Sequence, residues 1–288
     1  MKIKKAIFPV AGFGTRFLPA TKAIPKELIP VWDKPILHHV VEECVKSSVE
    51  EILFITSQGK EIILDYFDRN TSLEEHLKKK EKDKELEKII ETSKLAKFYS
   101  IRQNEIKGLG HAIFQGKKWI GNEPFAVILT DDLVISKVPC LMQLINVFEK
   151  YNMPVVALEE VPKEETYKYG IIEGEEIEKN IFKINNMVEK PTPEVAPSNL
   201  AIIGRYILTT EIFEFLEKTK EGEGGEIQLT DALQKYTKKG ILGLKFDGIR
   251  CDMGTPEGFL WTNLVFCVNS TSLKPLLLQI LSRLSPYL

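Results

Sequence analysis

A run of six apolar residues, Ala6 to Ala11, stops abruptly at Gly12-Phe-Gly-Thr-Arg16, and Lys22 and Lys26 follow it. A continuous apolar run fits a strand buried on both faces, so it predicts the first, central strand of a parallel sheet. Glycines at positions 12 and 14 permit positive φ and leave no Cβ in the way. Successive backbone N–H groups can therefore turn toward a bound anion. With Arg16, Lys22 and Lys26 close behind, the stretch predicts a polyphosphate site in the crevice at the carboxyl ends of an open α/β sheet. Spacing excludes two common phosphate loops. The dinucleotide fingerprint needs glycine where Phe17 stands, which removes the main support for a dehydrogenase, and the Walker pattern does not fit either.

The chain alternates between strand and helix signals. Asp33 is expected to cap a helix with Pro35 in its first turn and an apolar face of Ile36, Val40, Val41, Cys44 and Val45. His38 and His39 lie on that helix about 100° apart, so they read as structural rather than as a metal pair. Glu51 to Thr56 reads as a strand, and Ser57 as the start of a helix through Ile62, Ile63 and Tyr66. Residues 73–97, rich in lysine and glutamate, read as one solvated helix with Leu73, Leu77, Leu86, Ile89, Ile90 and Leu95 on its inner face. Phe98 to Arg102 is strand-like, Asn104 to Gly110 a loop, and a helix begins near His111. Phe125 to Leu129 is a second central strand ending at Thr130-Asp131-Asp132. Carboxylates at that place are costly unless a cation meets them, and magnesium is a natural partner beside phosphates. Val138 to Tyr151 reads as helix and Pro154 to Glu160 as strand. Ile171-Ile172 and Ile181 to Val188 predict hairpins with Glu173-Gly174 in a turn. Leu200 to Leu208 is another apolar strand, and helices at 211–217 and 229–238 flank a glycine-rich turn at 222–225.

The residues themselves carry more than their spacing. The stretch PVAGFGTRFLPATKAIPKELIPVWDKPI (9 to 36) resembles the opening of the bacterial UTP–glucose-1-phosphate uridylyltransferases, within the sugar-nucleotide pyrophosphorylases. RQNEIKGLGHA (102 to 112), EPFAVILTDDL (123 to 133), KYGII (168 to 172), MVEKP (187 to 191), APSNLAIIGRYIL (196 to 208) and GEIQLTDAL (225 to 233) resemble that family in the same order. The resemblance implies a Rossmann-like α/β fold: a mixed, mostly parallel central sheet flanked by helices, with a smaller antiparallel part covering the sugar. It implies nucleotide contacts at Ala11, Gly12, Gly14, Glu27, Gln103 and Gly108. Sugar contacts are implied at Asp132, Gly170, Glu189, Lys190 and Ile202. Asp132 is read instead, and by preference, as a residue that orients its loop. Arg16, Lys26, Asp131 and Lys190 are the expected catalytic residues, with Mg²⁺ on Asp131 and on Asp252. The substrates implied are UTP and glucose 1-phosphate. A pyrophosphorylase using dTTP and a non-catalytic sugar-nucleotide binding module are the alternatives, and the four charged residues speak against the second.

Composition adds exclusions. With 43% hydrophobic and 28% charged residues, the 288-residue chain is ordinary for a globular protein, and its net charge of −2 argues against nucleic-acid binding. Lys2, Lys4 and Lys5 precede an apolar run too short for a signal peptide, and no stretch is long enough to span a membrane. A cytoplasmic protein is expected. Cys44, Cys140, Cys251 and Cys267 show no paired spacing and predict reduced, mostly buried thiols. Residues 1–268 are expected to form one domain and 269–288 an apolar helix. In that tail Leu273, Leu276, Leu277, Ile280, Leu281 and Leu284 form a stripe widened by Leu278, which either packs on its own subunit or, as the resemblance implies, serves the contact of a homo-oligomer, dimer or tetramer.

Overall fold

The structure is a computed structural model and describes residues 2–222 and 225–287. In chain order its strands are β1 (Lys5–Pro9), β2 (Pro30–Val31), β3 (Lys34–Pro35), β4 (Glu51–Thr56), β5 (Lys97–Arg102), β6 (Phe125–Ile128) and β7 (Asp132–Ile135). There follow β8 (Val155–Glu160), β9 (Gly170–Glu178), β10 (Ile181–Glu189), β11 (Leu200–Leu208), β12 (Leu242–Lys245) and β13 (Ile249–Asp252). The helices are α1 (Ile36–Lys46), α2 (Ile62–Asp65), α3 (Thr71–Lys79), α4 (Asp83–Thr92), α5 (Gly108–Gln115) and α6 (Lys117–Ile120). After them come α7 (Cys140–Tyr151), α8 (Ile212–Glu217), α9 (Leu229–Tyr236), α10 (Pro256–Asn269) and α11 (Lys274–Leu284).

Nine strands form one mixed sheet in the order β5-β4-β1-β6-β11-β8-β12-β10-β9. The half from β5 to β6 is parallel. β11 runs antiparallel to β6 and β8, and the β9–β10 hairpin closes the far edge through β12. The chain steps outward from β1 to β4 and β5, then returns to lay β6 on the other side of β1. That reversal opens a crevice at the carboxyl ends of β1 and β6, where sheets of this kind bind ligands. Both faces of the inner strands β1, β4, β6 and β11 are covered, as their continuous apolar runs require. Ala6 and Phe8 of β1 enter one core with Val40 and Leu144, while Ile7 enters the other with Ile113 and Leu233.

Several local expectations change in three dimensions. Asp33 sits in the turn of the small β2–β3 hairpin and does not cap a helix; α1 starts after Pro35. Ser57 starts no helix and instead donates its hydroxyl to the Ala11 carbonyl at 2.9 Å, bracing the loop after β1. The 73–97 segment is two helices, α3 and α4, broken where Glu81 takes φ +56°, followed by β5 from Lys97. Glu173-Gly174 lies within β9, and the reversal comes at Lys179-Asn180, so one long hairpin joined to the main sheet replaces several short ones. The glycine-rich turn expected at 222–225 falls in part on residues 223 and 224, outside the described residues. His38 is structural, held by Tyr66 and Glu42, and His39 rests on the Val31 carbonyl. In the tail, Leu277 is buried while Leu278 and Leu284 remain 57% and 46% exposed.

One charged residue, Arg205, is fully buried in the apolar strand β11. Its guanidinium makes a two-pronged contact with Glu43 of α1, with Nη2 2.8 Å and Nε 3.1 Å from the carboxylate oxygens. It also donates to the carbonyls of Leu129 (3.0 Å), Gly204 (3.0 Å) and Asp132 (2.7 Å). Glu43 accepts in addition from the Leu141 N–H in the first turn of α7. Glu43→Ala would leave that cation unpaired in the interior and is expected to cost about 3–5 kcal/mol. Urea unfolding measures it; a loss below about 1 kcal/mol, the scale of a surface pair, would show the contact to be expendable.

Candidate active site

The loop after β1 is shaped by its own side chains. Gly14 adopts φ +66°, and the Thr21 hydroxyl donates to its carbonyl at 2.8 Å. Gly12 is outside the left-handed region, so positive φ is not its reason; a Cβ there would meet nothing within 4 Å, and the backbone faces open space. Glu27 is buried, and both its oxygens accept from Lys60 at 3.0 and 2.9 Å, while Lys60 also donates to the Val10 carbonyl. It braces the loop and does not line the cavity. Lys26 reaches across to Asp131 after β6, Nζ to Oδ2 2.8 Å. Burial opposes the charge of Lys26, but Asp131 and Glu27 outweigh it and raise the Lys26 pKa. Burial likewise opposes ionisation of Asp131, and the adjacent Lys26 ammonium overcomes it, holding that carboxyl below its usual range.

Asp252 arrives by a separate route. β7 and β13 form a two-stranded antiparallel ribbon that sets Asp252 directly opposite Asp132, and the Met253 N–H continues the ladder to the Asp131 carbonyl at 2.7 Å. Facing carboxylates repel, and Arg250 lies among them. It donates to Asp132 Oδ1 at 2.6 Å, to Glu159 at 3.2 Å, to the Tyr169 hydroxyl at 3.2 Å, and to Asp252 at 3.4 Å. The other oxygen of Asp132 accepts from the Gly204 N–H at 3.1 Å. Burial, joined by Asp131 and Asp252, still pushes the Asp132 carboxyl upward against the pull of Arg250. Asp132 is thus held within the ribbon by Arg250 and the Gly204 N–H.

Asp131, Asp132 and Asp252 line a cavity of about 210 Å³ together with Arg16, Gly170, Glu189, Ile202, Tyr206 and Thr230. A Cβ at Gly170 would lie 2.9 Å from Thr230 Oγ1 and 3.3 Å from Glu189 Oε2, so glycine keeps that wall open. Lys190 borders an adjoining cavity of about 830 Å³ with Arg16, Arg250 and Asp252. It holds φ +46°, a conformation costing a non-glycine residue of order 1 kcal/mol. Strain of this kind clusters where a side chain must be aimed. After β5, the Gln103 amide nitrogen lies 2.8 Å from His111 Nδ1 and 3.4 Å from the Gly108 carbonyl. Gly108, at φ +87°, would drive a Cβ to 2.7 Å from the Glu226 Cβ, so contact with its own chain suffices to demand glycine there.

With this geometry in place, the comparisons are decisive. The nucleotidyl transferase family model matches residues 5–266. The chain belongs to that family. It is 50% identical to the UTP–glucose-1-phosphate uridylyltransferase of Pseudomonas aeruginosa over 261 residues, 90% of this chain and 94% of that one. A UDP-glucose pyrophosphorylase solved with UDP-glucose superimposes with TM-score 0.83 at 47% identity, covering 92% of this chain and 98% of that one. A UTP-bound enzyme from Acinetobacter baumannii gives TM-score 0.90 at 35% identity, covering 98% and 99%. These relatives place the chain in the UTP–glucose-1-phosphate uridylyltransferase branch of the family, a branch of nucleotidyltransferase enzymes.

Nucleotidyl transferases of this family generally use a divalent metal. Two aspartates here offer hard oxygen ligands on one cavity wall, and among the described residues no three acidic, His or Cys side chains gather into a complete cage. Two carboxylates with room for phosphate oxygens fit a hard divalent ion. The residues that sequence reasoning missed are Arg250, Arg205, Glu43 and Tyr206. A lone cation within Leu200–Leu208 was the available signal for Arg205, since a charge in a buried strand requires a partner.

Proposed function

We propose that this chain forms UDP-glucose and pyrophosphate from UTP and glucose 1-phosphate in a single displacement. The observation that carries the proposal is the 2.8 Å contact of Lys26 with Asp131, which joins the loops after β1 and β6 beside the cavity that holds Glu189. Glucose 1-phosphate is largely a dianion near neutral pH, its second pKa being about 6, so no general base is needed. Its phosphate oxygen attacks the α-phosphorus of UTP, and the bond to pyrophosphate breaks. Arg16 and Lys26 hold the departing pyrophosphate, Lys26 exchanging Asp131 for phosphate oxygens. Lys190 draws the sugar phosphate into line, and Glu189 accepts from sugar hydroxyls. Ala11, Gly12 and Gly14 supply backbone to the nucleotide, and the Gln103 amide reads the pyrimidine edge, with Gly108 beside it. Asp131 and Asp252 would hold Mg²⁺, which when bound neutralises charge on the phosphates.

Pyrophosphate release across several nucleoside triphosphates and sugar 1-phosphates is expected to be fastest with UTP and glucose 1-phosphate. In that assay Lys190→Ala and Asp131→Asn should each lower kcat by about 10²-fold while the protein stays folded. Wild-type turnover of either variant at saturating Mg²⁺ would remove that residue from the mechanism.

The proposal extends to assembly and place. Leu260 and Trp261 of α10 and Leu276, Leu278, Ile280 and Leu281 of α11 are each exposed, and exposed apolar side chains gathered on two successive helices suit a contact surface. A second copy of the chain is its occupant, making a homo-oligomer around a catalytic unit of residues 1–268. Deleting residues 270–288 should give a smaller active species by light scattering; an unchanged active oligomer would rule the tail out as the contact. A cytoplasmic location is part of the same reading, supported by four unpaired cysteines, three of them buried.

A further inference from the structure

β11 separates two environments. Ile202, Gly204 and Tyr206 alternate onto the face that lines the 210 Å³ cavity, while Arg205 points to the other side and grips Glu43. Tyr206 is only 6% exposed, yet among the described residues its hydroxyl has no hydrogen-bond partner. No fully buried side-chain nitrogen or oxygen among the described residues lacks such a partner, so the phenol oxygen keeps some accessible surface, and Tyr206 lines the cavity. The other polar groups of the wall are largely committed. Asp132 is held by Arg250 and Gly204, Arg250 by Asp132, Glu159, Tyr169 and Asp252, and the Gln228 amide by Glu226 at 3.2 Å. Glu189, in the same wall, can only accept.

We propose that Tyr206 is a specificity-determining residue of the sugar site, its phenol hydroxyl hydrogen-bonding a ring hydroxyl of the sugar 1-phosphate. The inference rests on the reading of this cavity as the sugar pocket. A donor at Tyr206 and an acceptor at Glu189 within one small cavity discriminate among sugars by the position of their hydroxyls, as neither does alone. The phenol stays protonated, since burial, followed by the nearby carboxylates of Glu189, Asp132 and Asp131, raises its pKa. A nearly buried hydroxyl without a protein partner is tolerable when a ligand supplies one, and it then rejects ligands that do not.

Tyr206→Phe deletes one oxygen and keeps the packing, so it isolates the hydroxyl. The variant is expected to raise KM for glucose 1-phosphate by roughly 10-fold while KM for UTP and the unfolding midpoint stay at wild-type values. The four monodeoxy analogues of glucose 1-phosphate sharpen the test. The wild type should lose rate with the analogue that lacks the partner hydroxyl, and with that analogue Tyr206→Phe should lose nothing further. Wild-type KM for glucose 1-phosphate in the variant, or penalties that add for all four analogues, would overturn the proposal. If the wild type turns over a different sugar 1-phosphate instead, the assignment of glucose falls, and the same comparison on that sugar still decides Tyr206.

Discussion

Behind the carboxylates that line the cavity stands one buried ion pair, Arg205 with Glu43. The guanidinium takes hold of the Leu129 and Asp132 carbonyls, the residues on either side of Thr130-Asp131, and so fixes the loop after β6 from below. Glu43 ties the same point to α1 and, through Leu141, to the start of α7. Opening such a pair by removing a partner costs about 3–5 kcal/mol, a large part of a protein's net stability. The loop that carries Asp131 is therefore part of the frame.

Set on that frame, the Lys26–Asp131 contact has a different character. Its side chains are 25% and 34% exposed, and ion pairs with that much solvent contribute of order 1 kcal/mol or less. In the proposed reaction incoming phosphates take Lys26 from Asp131, whereas Arg205 is fully buried and has no face open to a ligand. Arg250 falls between the two. It is nearly buried, and it holds Asp132 and Asp252 in register across the β7–β13 ribbon, where they would otherwise repel. The site thus combines a rigid rear wall, a carboxylate cluster braced by Arg250 and a Lys26–Asp131 contact that is open to solvent.

The sequence made the local parts legible and the long-range parts obscure. The apolar run into Gly12-Phe-Gly-Thr-Arg16, the break of Phe125–Leu129 at Asp131 and the apolar strand Leu200–Leu208 all survive in β1, β6 and β11, because burial on both faces is written in consecutive residues. Asp33 looked like a helix cap because the β2–β3 hairpin that claims it depends on pairing between dipeptides too short to show a pattern. The break between α3 and α4 turns on one positive-φ residue, Glu81, which has no glycine to announce it. Glu27 and Lys60 are 33 positions apart, and Glu43 and Arg205 are 162 apart, so neither pair leaves a spacing to read. Gly108 reads in the sequence only as a nucleotide contact, and the close approach to Glu226 that demands glycine there exists only in the folded chain.

On the proposed reading these parts serve a transfer in which the sugar phosphate attacks the α-phosphorus directly, with no residue of this chain becoming covalently attached. The configuration at that phosphorus tests the claim most directly. With a single stereoisomer of UTP carrying sulfur on the α-phosphorus, the thio-UDP-glucose formed should show inversion, the signature of one in-line displacement. Net retention would require two displacements and a uridylylated intermediate, and would contradict the account.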